Sequence, residues 1–185
     1  AMYRVVALVC LKQGIDLEQA PAIIAAARAA RMTLDGERVF ADGVDVSAEI
    51  RSADVTHGAS RVAVIPAVRE ILVERQREIA QGRDLVTEGR DQGSVVFPQA
   101  ECKIFLTASH EERARRRQPE SPGQGIPDPP YGMLAQLRER DERDAGRAVA
   151  PLKPAPGAHY VDTTGLDADE VLRQLVELVR KSRSD

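Results

Sequence analysis

LVTEGRDQGSVVFPQAECKIFLTASHEERARRR, residues 85–117, is the stretch on which the fold turns. Leu85-Val86-Thr87, Val95-Val96-Phe97 and Cys102 to Thr107 are short β-prone runs that read as strands. Ser109, with Glu112 three residues on, forms a capping box that opens a charged helix. Strands alternating with helices predict an α/β core built on a parallel sheet. Ligands in such sheets bind at the carboxyl ends of strands. Glu88-Gly89-Arg90-Asp91-Gln92-Gly93-Ser94 follows the first of these runs. Its two glycines allow a tight turn that presents an Arg-Asp pair. A plain surface turn with a local ion pair is the competing reading.

Downstream, residues 119–132 hold five prolines and three glycines. They exclude a regular helix and read as an exposed, mobile loop. A polar helix is predicted over about Met133 to Asp144, and His159-Tyr160-Val161-Asp162 reads as a strand. Asp167 and Glu170 form a second capping box. The helix they open carries an apolar stripe of Val171, Leu172, Leu175, Leu178 and Val179.

Upstream, two Asp-Gly pairs at 35–36 and 42–43 punctuate Glu37 to Phe40 and Val44 to Val46. That is the strongest local hairpin signal and predicts a small antiparallel sheet over roughly 31–46. Pro66 to Ala80 reads as a helix closed by Gly82, with Val68, Ile71 and Leu72 at helical spacing. Asp16 is placed to cap a helix running through Glu18 to Ala30. The segment from Ala1 to Leu11 is apolar from Val5 onward and has no capping residue before it.

Composition bounds the function. The 185 residues are 43% hydrophobic and 30% charged, enough for a real core, and with no Trp that core is aliphatic. The net charge of −3 argues against general nucleic-acid binding. Cys10 and Cys102 sit in apolar runs, read as buried thiols and have no metal-ligand spacing. The longest apolar run, Val5 to Leu11, is too short to span a membrane, and no stretch reads as a signal peptide or lipidation motif. A cytoplasmic location is the expectation. His57, His110 and His159 are scattered, and no HExxH, GxSxG or CxxC is present, so metal hydrolysis and triad chemistry have no support.

The densest charged cluster is Glu139-Arg140-Asp141-Glu142-Arg143-Asp144-Ala145-Gly146-Arg147. Arg140, Asp144 and Arg147, at i, i+4 and i+7, share one face of a helix that extends that far. Arginines with an acid between them suit a phosphorylated sugar, since guanidinium grips phosphate and carboxylate accepts sugar hydroxyls. A solvated helix with i,i+4 ion pairs explains the same residues. Arg113-Ala114-Arg115-Arg116-Arg117 leads into the Pro/Gly stretch, and arginines on a mobile flap can neutralise a transferring phosphoryl group. A solvated helix face is again the alternative. Arg4, Ser60 and Arg69 say little in isolation.

Together these segments resemble the bacterial cytidylate kinases, in the same order along nearly the whole chain. The matching pieces are AMYR at 1–4, DGERVFADGVDVSAEIR at 35–51, ASRVAVIPAVRE at 59–70, EGRDQGSVVFP at 88–98, KIFLTAS at 103–109 with EERARRR at 111–117, RERDERDAGRAVAPL at 138–152 and VDTTGL at 161–166. EGRD-G–VVFP and ERD-RD–RAVAPL carry most of the specificity. Gln92 and Ser94 stand where EGRDIGT is commoner in the family.

The resemblance implies the nucleoside-monophosphate-kinase architecture. That is a parallel-sheet core over 1–33 and 83–185, an inserted CMP-binding subdomain over 34–82 and a lid over about 113–133. It implies transfer of the ATP γ-phosphate to CMP or dCMP with Mg²⁺, and the composition and motifs read above add the expectation of no protein metal ligands and of neither nucleic acid nor membrane as partner. Carried over by position, Ser60, Arg69 and Asp91 would read the cytosine edge. Arg4, Arg90 and Arg147 would hold the CMP phosphate, and Arg140 and Asp144 the sugar. Arg113, Arg116 and Arg117 would be the lid arginines that reach the ATP phosphates.

The family begins with a strand and a GxxxxGK[ST] loop, which cradles ATP phosphates through backbone N–H groups, a Lys and a Mg²⁺-binding hydroxyl. None of the thirteen glycines here begins such a motif, and none of Lys12, Lys103, Lys153 and Lys181 follows a glycine. The expectation is that this chain alone does not transfer phosphate. A late-assigned start, one part of a split kinase, and a non-catalytic CMP-binding or interaction protein all fit it. A sheet without its first strand leaves backbone groups unpaired, so a homo-oligomer or an exchanged strand is a further expectation.

Overall fold

A computed structural model describes residues 1–116, 134–135, 138–139, 141–142, 146 and 152–183. The chain divides into two compact units, Ala1–Leu85 and Val86–Asp185.

The first unit opens with helices α1 (Met2–Lys12) and α2 (Ala20–Ala29). Asp16 does not cap α2. Its Oδ1 accepts from the Glu18 N–H at 3.0 Å, in an Asx turn before the helix. The helix starts at Ala20 because Pro21 fits only the first turn, where its missing N–H costs nothing. The antiparallel sheet follows as predicted, with strands β1 (Met32–Asp35), β2 (Arg38–Ala41) and β3 (Val44–Asp45) in the order β1-β2-β3. Ala41 pairs with Val44, so Asp42 and Gly43 form the whole connection. Both have positive φ, 51° and 83°, the requirement of a type I′ turn.

A 3₁₀ turn at Glu49–Arg51 leads to α3 (Ala53–Val62), a helix the sequence reading did not anticipate, and then to α4 (Pro66–Ala80). Gln81 ends α4 and Gly82, at φ 68°, turns the chain away, as expected. Val5, Val6, Cys10, Ile23, Val39, Ile50, Val55, Val62, Val68 and Leu72 share one core, aliphatic as the composition predicts. Residues 1–12 are therefore packed with residues 39–72. Arg75 of α4 donates to the Arg28 and Ala30 carbonyls, both at 2.8 Å, and so caps the end of α2.

The second unit carries the parallel pair. Strands β4 (Ile104–Thr107) and β5 (His159–Asp162) align with Ile104 opposite His159 and Thr107 opposite Asp162. Each leads into a helix, α5 (His110–Arg116) after β4 and α6 (Ala168–Ser182) after β5. The α/β expectation holds. Ser109 Oγ accepts from the Glu112 N–H at 3.1 Å, whereas the Glu112 carboxylate turns to Arg115 and Arg116. The Asp167–Glu170 capping box is complete in both directions.

Two expected strands do not form. Leu85 to Thr87 has no regular structure, and Val86 is 96% exposed. Among the described residues no strand lies beside it to take its backbone groups. Residues 95–97 belong instead to a π-turn over Gln92–Val96, where Val96 and Phe97 donate to Asp91 and Gln92 five residues back, at 3.2 and 2.7 Å. Local backbone bonds satisfy this segment, leaving nothing for a ladder. Cys10 is buried, and burial raises its pKa, but Cys102 is only half-buried. The polar helix predicted over 133–144 is described at 134–135, 138–139 and 141–142, which are helical. The Pro/Gly stretch at 119–132 lies outside the described residues.

Candidate functional site

In the first unit, the local sequence brings α1, α3 and α4 together around two arginines. Gly58 allows the close approach of α3 to α1, since a Cβ there would lie 3.3 Å from the Ala7 Cβ and 3.1 Å from Leu17 Cδ1. Arg4 of α1 donates to the Ile50 carbonyl at 2.7 Å and to Thr56 Oγ1 at 2.8 Å. Ser60 stands one helical turn beyond Thr56 on the same face of α3, with its Oγ donating to the His57 carbonyl at 2.7 Å. Arg69 of α4 is 4% exposed. It donates to the Ala63 carbonyl at 3.0 Å, and its guanidinium lies 5.6 Å from the centre of the Tyr3 ring. Thr56 and Tyr3 were not singled out from sequence. Their signals are the i,i+4 spacing of Thr56 to Ser60 and the adjacency of Tyr3 to Arg4.

In the second unit, Asp91 is 5% exposed at the head of the π-turn. Gly89 lies close against the Gln92 side chain, where an added Cβ would come within 2.7 Å of Nε2 and push that side chain aside. π-turns of this kind occur disproportionately at functional sites. Arg90 is half-buried. Its charge is felt by Asp141, as are those of Arg113 and His110.

The three arginines of α5 have different surroundings. Arg113 donates to Asp141 Oδ2 at 2.5 Å, and His110 Nε2 lies 3.3 Å from the same oxygen. Arg115 pairs with Glu112. Arg116 donates to Glu112 at 2.7 Å, to Thr163 Oγ1 at 3.0 Å, and to the Thr163 and Leu166 carbonyls at 2.6 and 3.2 Å. Its guanidinium therefore fastens the turn between β5 and α6. Arg117, Arg140, Asp144 and Arg147 lie outside the described residues. Asp141 was inside the charged cluster read from sequence but was not singled out.

Burial pushes the Asp141 carboxyl upward, yet the Arg113 hydrogen bond and the charges of Arg113, Arg90 and His110 outweigh it and leave its pKa below the usual carboxylate value. A half-buried carboxylate thus stays ionised among cations. Chemically, the first unit offers a buried guanidinium donor at Arg69, and the second a buried carboxylate acceptor at Asp91 and arginines of the kind that grip phosphate. Among the described residues no three His, Cys, Asp or Glu side chains converge as a metal cage, and no helix is long and apolar enough to cross a membrane.

Comparison with known proteins gives the family. The family model described as cytidylate kinase matches residues 1–181. Proteins named cytidylate kinase are similar to the chain throughout. That of Caldanaerobacter subterraneus subsp. tengcongensis is 47% identical over 182 residues, covering 98% of this chain and 81% of the relative. That of Vibrio cholerae is 45% identical, covering 97% and 81%, and that of Mycobacterium avium 48% identical, covering 97% and 81%.

Proposed function

The chain belongs to the cytidylate kinase family, a family of phosphotransferases, and on that premise we propose that each unit carries residues that recognise CMP or dCMP as the phosphoryl acceptor. ATP is the phosphoryl donor and Mg²⁺ the accompanying cation, as the family implies. In phosphoryl transfer the magnesium is held largely by phosphate oxygens and water. What this chain's own side chains contribute is binding and orientation.

One observation carries the reading. Arg69 and Asp91 are the only charged residues among those described that are buried, at 4% and 5% exposure. Charged side chains are almost never buried without a specific partner or task. Both are residues the family resemblance assigns to the cytosine edge, with Ser60 as the third. Asp91 accepts from the exocyclic amino group, and Arg69, held by the Ala63 carbonyl and the Tyr3 ring, donates to the ring acceptors. Arg4 and Arg90, with Arg147, hold the acceptor phosphate. Arg140 and Asp144 hold the sugar. Of the arginines that the resemblance assigns to the donor phosphates, Arg113, Arg116 and Arg117, Arg113 is the better supported of the two described, because the donors of Arg116 are engaged by Glu112, Thr163 and Leu166.

Isothermal titration with CMP tests this. Arg69→Met and Asp91→Asn should each weaken CMP about tenfold or more, the loss of a charge-assisted hydrogen bond in a buried site. Unchanged CMP affinity in both folded variants would remove them from the site.

The finer reading is that these 185 residues by themselves bind CMP without transferring phosphate. No GxxxxGK[ST] occurs among them, and arginines alone are a poor seat for a triphosphate. For assembly, we propose strand addition from a second copy. Among the described residues β4 and β5 are each paired on one side only, and Leu106 and Tyr160 are 52% and 64% exposed. A cytoplasmic location completes the proposal.

A further inference from the structure

Arg113 and Asp141 are 28 residues apart in sequence and meet at 2.5 Å. The contact is asymmetric. Asp141 gives one oxygen, Oδ2, to Arg113, with His110 Nε2 3.3 Å from that same atom. Its other oxygen, Oδ1, is buried with no hydrogen-bond partner among the described residues, and so is Arg113 Nε. A pair serving stability alone would close both bonds in the parallel fork that Arg and carboxylate favour. Here the carboxylate grips one terminal nitrogen and leaves Nε unused. A second, weaker contact joins the same two segments, Arg138 to Glu111 at 4.0 Å.

Resting on the proposed function above, in which Arg113 serves the donor phosphates, we propose that Asp141 is a positioning residue that holds the Arg113 guanidinium, beside Arg90 and His110, in the orientation that receives a donor phosphate. A free arginine side chain has several rotatable bonds, and fixing it on the arrival of an anion costs conformational entropy. Asp141 makes that selection beforehand. It also offsets the mutual repulsion of Arg90 and Arg113 before any phosphate is present. The other two arginines of α5 cannot take the same role without leaving Glu112, Thr163 and Leu166.

Simple electrostatics makes the opposite prediction, which gives the proposal its test. Removing a negative charge beside an anion site should tighten anion binding, whereas removing a positioning residue should weaken it. The 185-residue chain is titrated with ATP against adenosine, and the ratio of dissociation constants gives the contribution of the phosphates. Asp141→Asn should shrink that ratio about tenfold, with adenosine unchanged. Arg113→Ala should shrink it similarly, and the double variant should fall no further, because Asp141 acts through Arg113. Asp141→Glu should restore part of the ratio. A ratio in Asp141→Asn equal to or larger than the wild type overturns the proposal. So does a further fall in the double variant.

A second measurement needs no ligand. The Arg113 side-chain Nε–H resonance in ¹⁵N-labelled protein should report slow guanidinium rotation in the wild type and fast rotation in Asp141→Asn. Fast rotation in the wild type overturns the proposal. Failure of the acceptor-site reading has a different signature, CMP bound no better than AMP by the wild type, whatever stands at position 141.

Discussion

The Arg69 guanidinium lies over the Tyr3 ring, 5.6 Å from its centre, and joins the fourth helix of the first unit to the first. A buried arginine needs such company. Its guanidinium donates to the Ala63 carbonyl, and the ring face supplies attraction without taking up an N–H group. Tyr3→Leu keeps apolar bulk and removes that attraction, worth about 0.5–2 kcal/mol. Urea denaturation should show a loss in that range, and CMP affinity should fall several-fold as Arg69 loses its fixed direction. Wild-type CMP affinity in the Leu variant would mean that the ring does not orient the arginine.

Gly58 sets the distance between α1, which carries Arg4, and α3, which carries Thr56 and Ser60. Gly58→Val places branched carbons where a single Cβ already meets Leu17 at 3.1 Å and Ala7 at 3.3 Å. Overpacking of this kind costs about 1–3 kcal/mol. The midpoint of urea unfolding should drop accordingly, with no change in slope. A midpoint at or above the wild-type value would show that the two helices can part at no cost.

The fold was legible where the information is local. Asp42-Gly43 announces its type I′ turn because few other dipeptides tolerate two positive φ values. Asp167 and Glu170 announce α6 because the capping box is contained within four residues. What stayed hidden depends on distant partners. Val95 to Phe97 has the composition of a strand, but the bonds to Asp91 and Gln92 win locally. α3 carries Thr56, His57 and Gly58, weak helix formers, and is made by its packing on α1; its Ser52 cap, with Oγ accepting from the Val55 N–H at 3.4 Å, was the available clue. Of the proposed site residues, Arg90 and Asp91 were singled out from sequence because a family motif names them. Asp141 was obscured because a charged cluster does not reveal which carboxylate turns inward.

Arg116 should behave as a structural residue. Its guanidinium holds the Thr163 and Leu166 carbonyls after β5. Arg116→Ala should lower the stability of the second unit by about 1–3 kcal/mol, the range for hydrogen bonds to a charged donor. It should also accelerate amide exchange around Thr163, while the ATP-to-adenosine affinity ratio stays near wild type. A collapse of that ratio with unchanged exchange would instead put Arg116 on the donor phosphates.

Each unit carries an acid sensor. In the first, the hydroxyl of Ser47, its N–H and Arg38 hold the Asp45 carboxyl at about 2. In the second, hydrogen bonds from Arg115 and then Arg116 hold Glu112 at about 2. Folded-state values below the unfolded ones mean that the stabilisation is fully present above the unfolded pKa of about 4. It is lost as pH falls toward 2, because the unfolded chain binds the proton first. Acid titration followed by circular dichroism should show stability falling across that window. Asp45→Asn and Glu112→Gln should each flatten the slope there and leave it unchanged above pH 6. An unaltered acid limb in both variants would contradict the assignment.

The most direct test of the central claim is an isothermal titration of the purified 185-residue chain with CMP, with AMP as the control. The roles proposed for Ser60, Arg69 and Asp91 in reading cytosine predict saturable CMP binding at least tenfold tighter than AMP. Equal affinity for the two nucleotides, or no CMP binding by the folded chain, would contradict it.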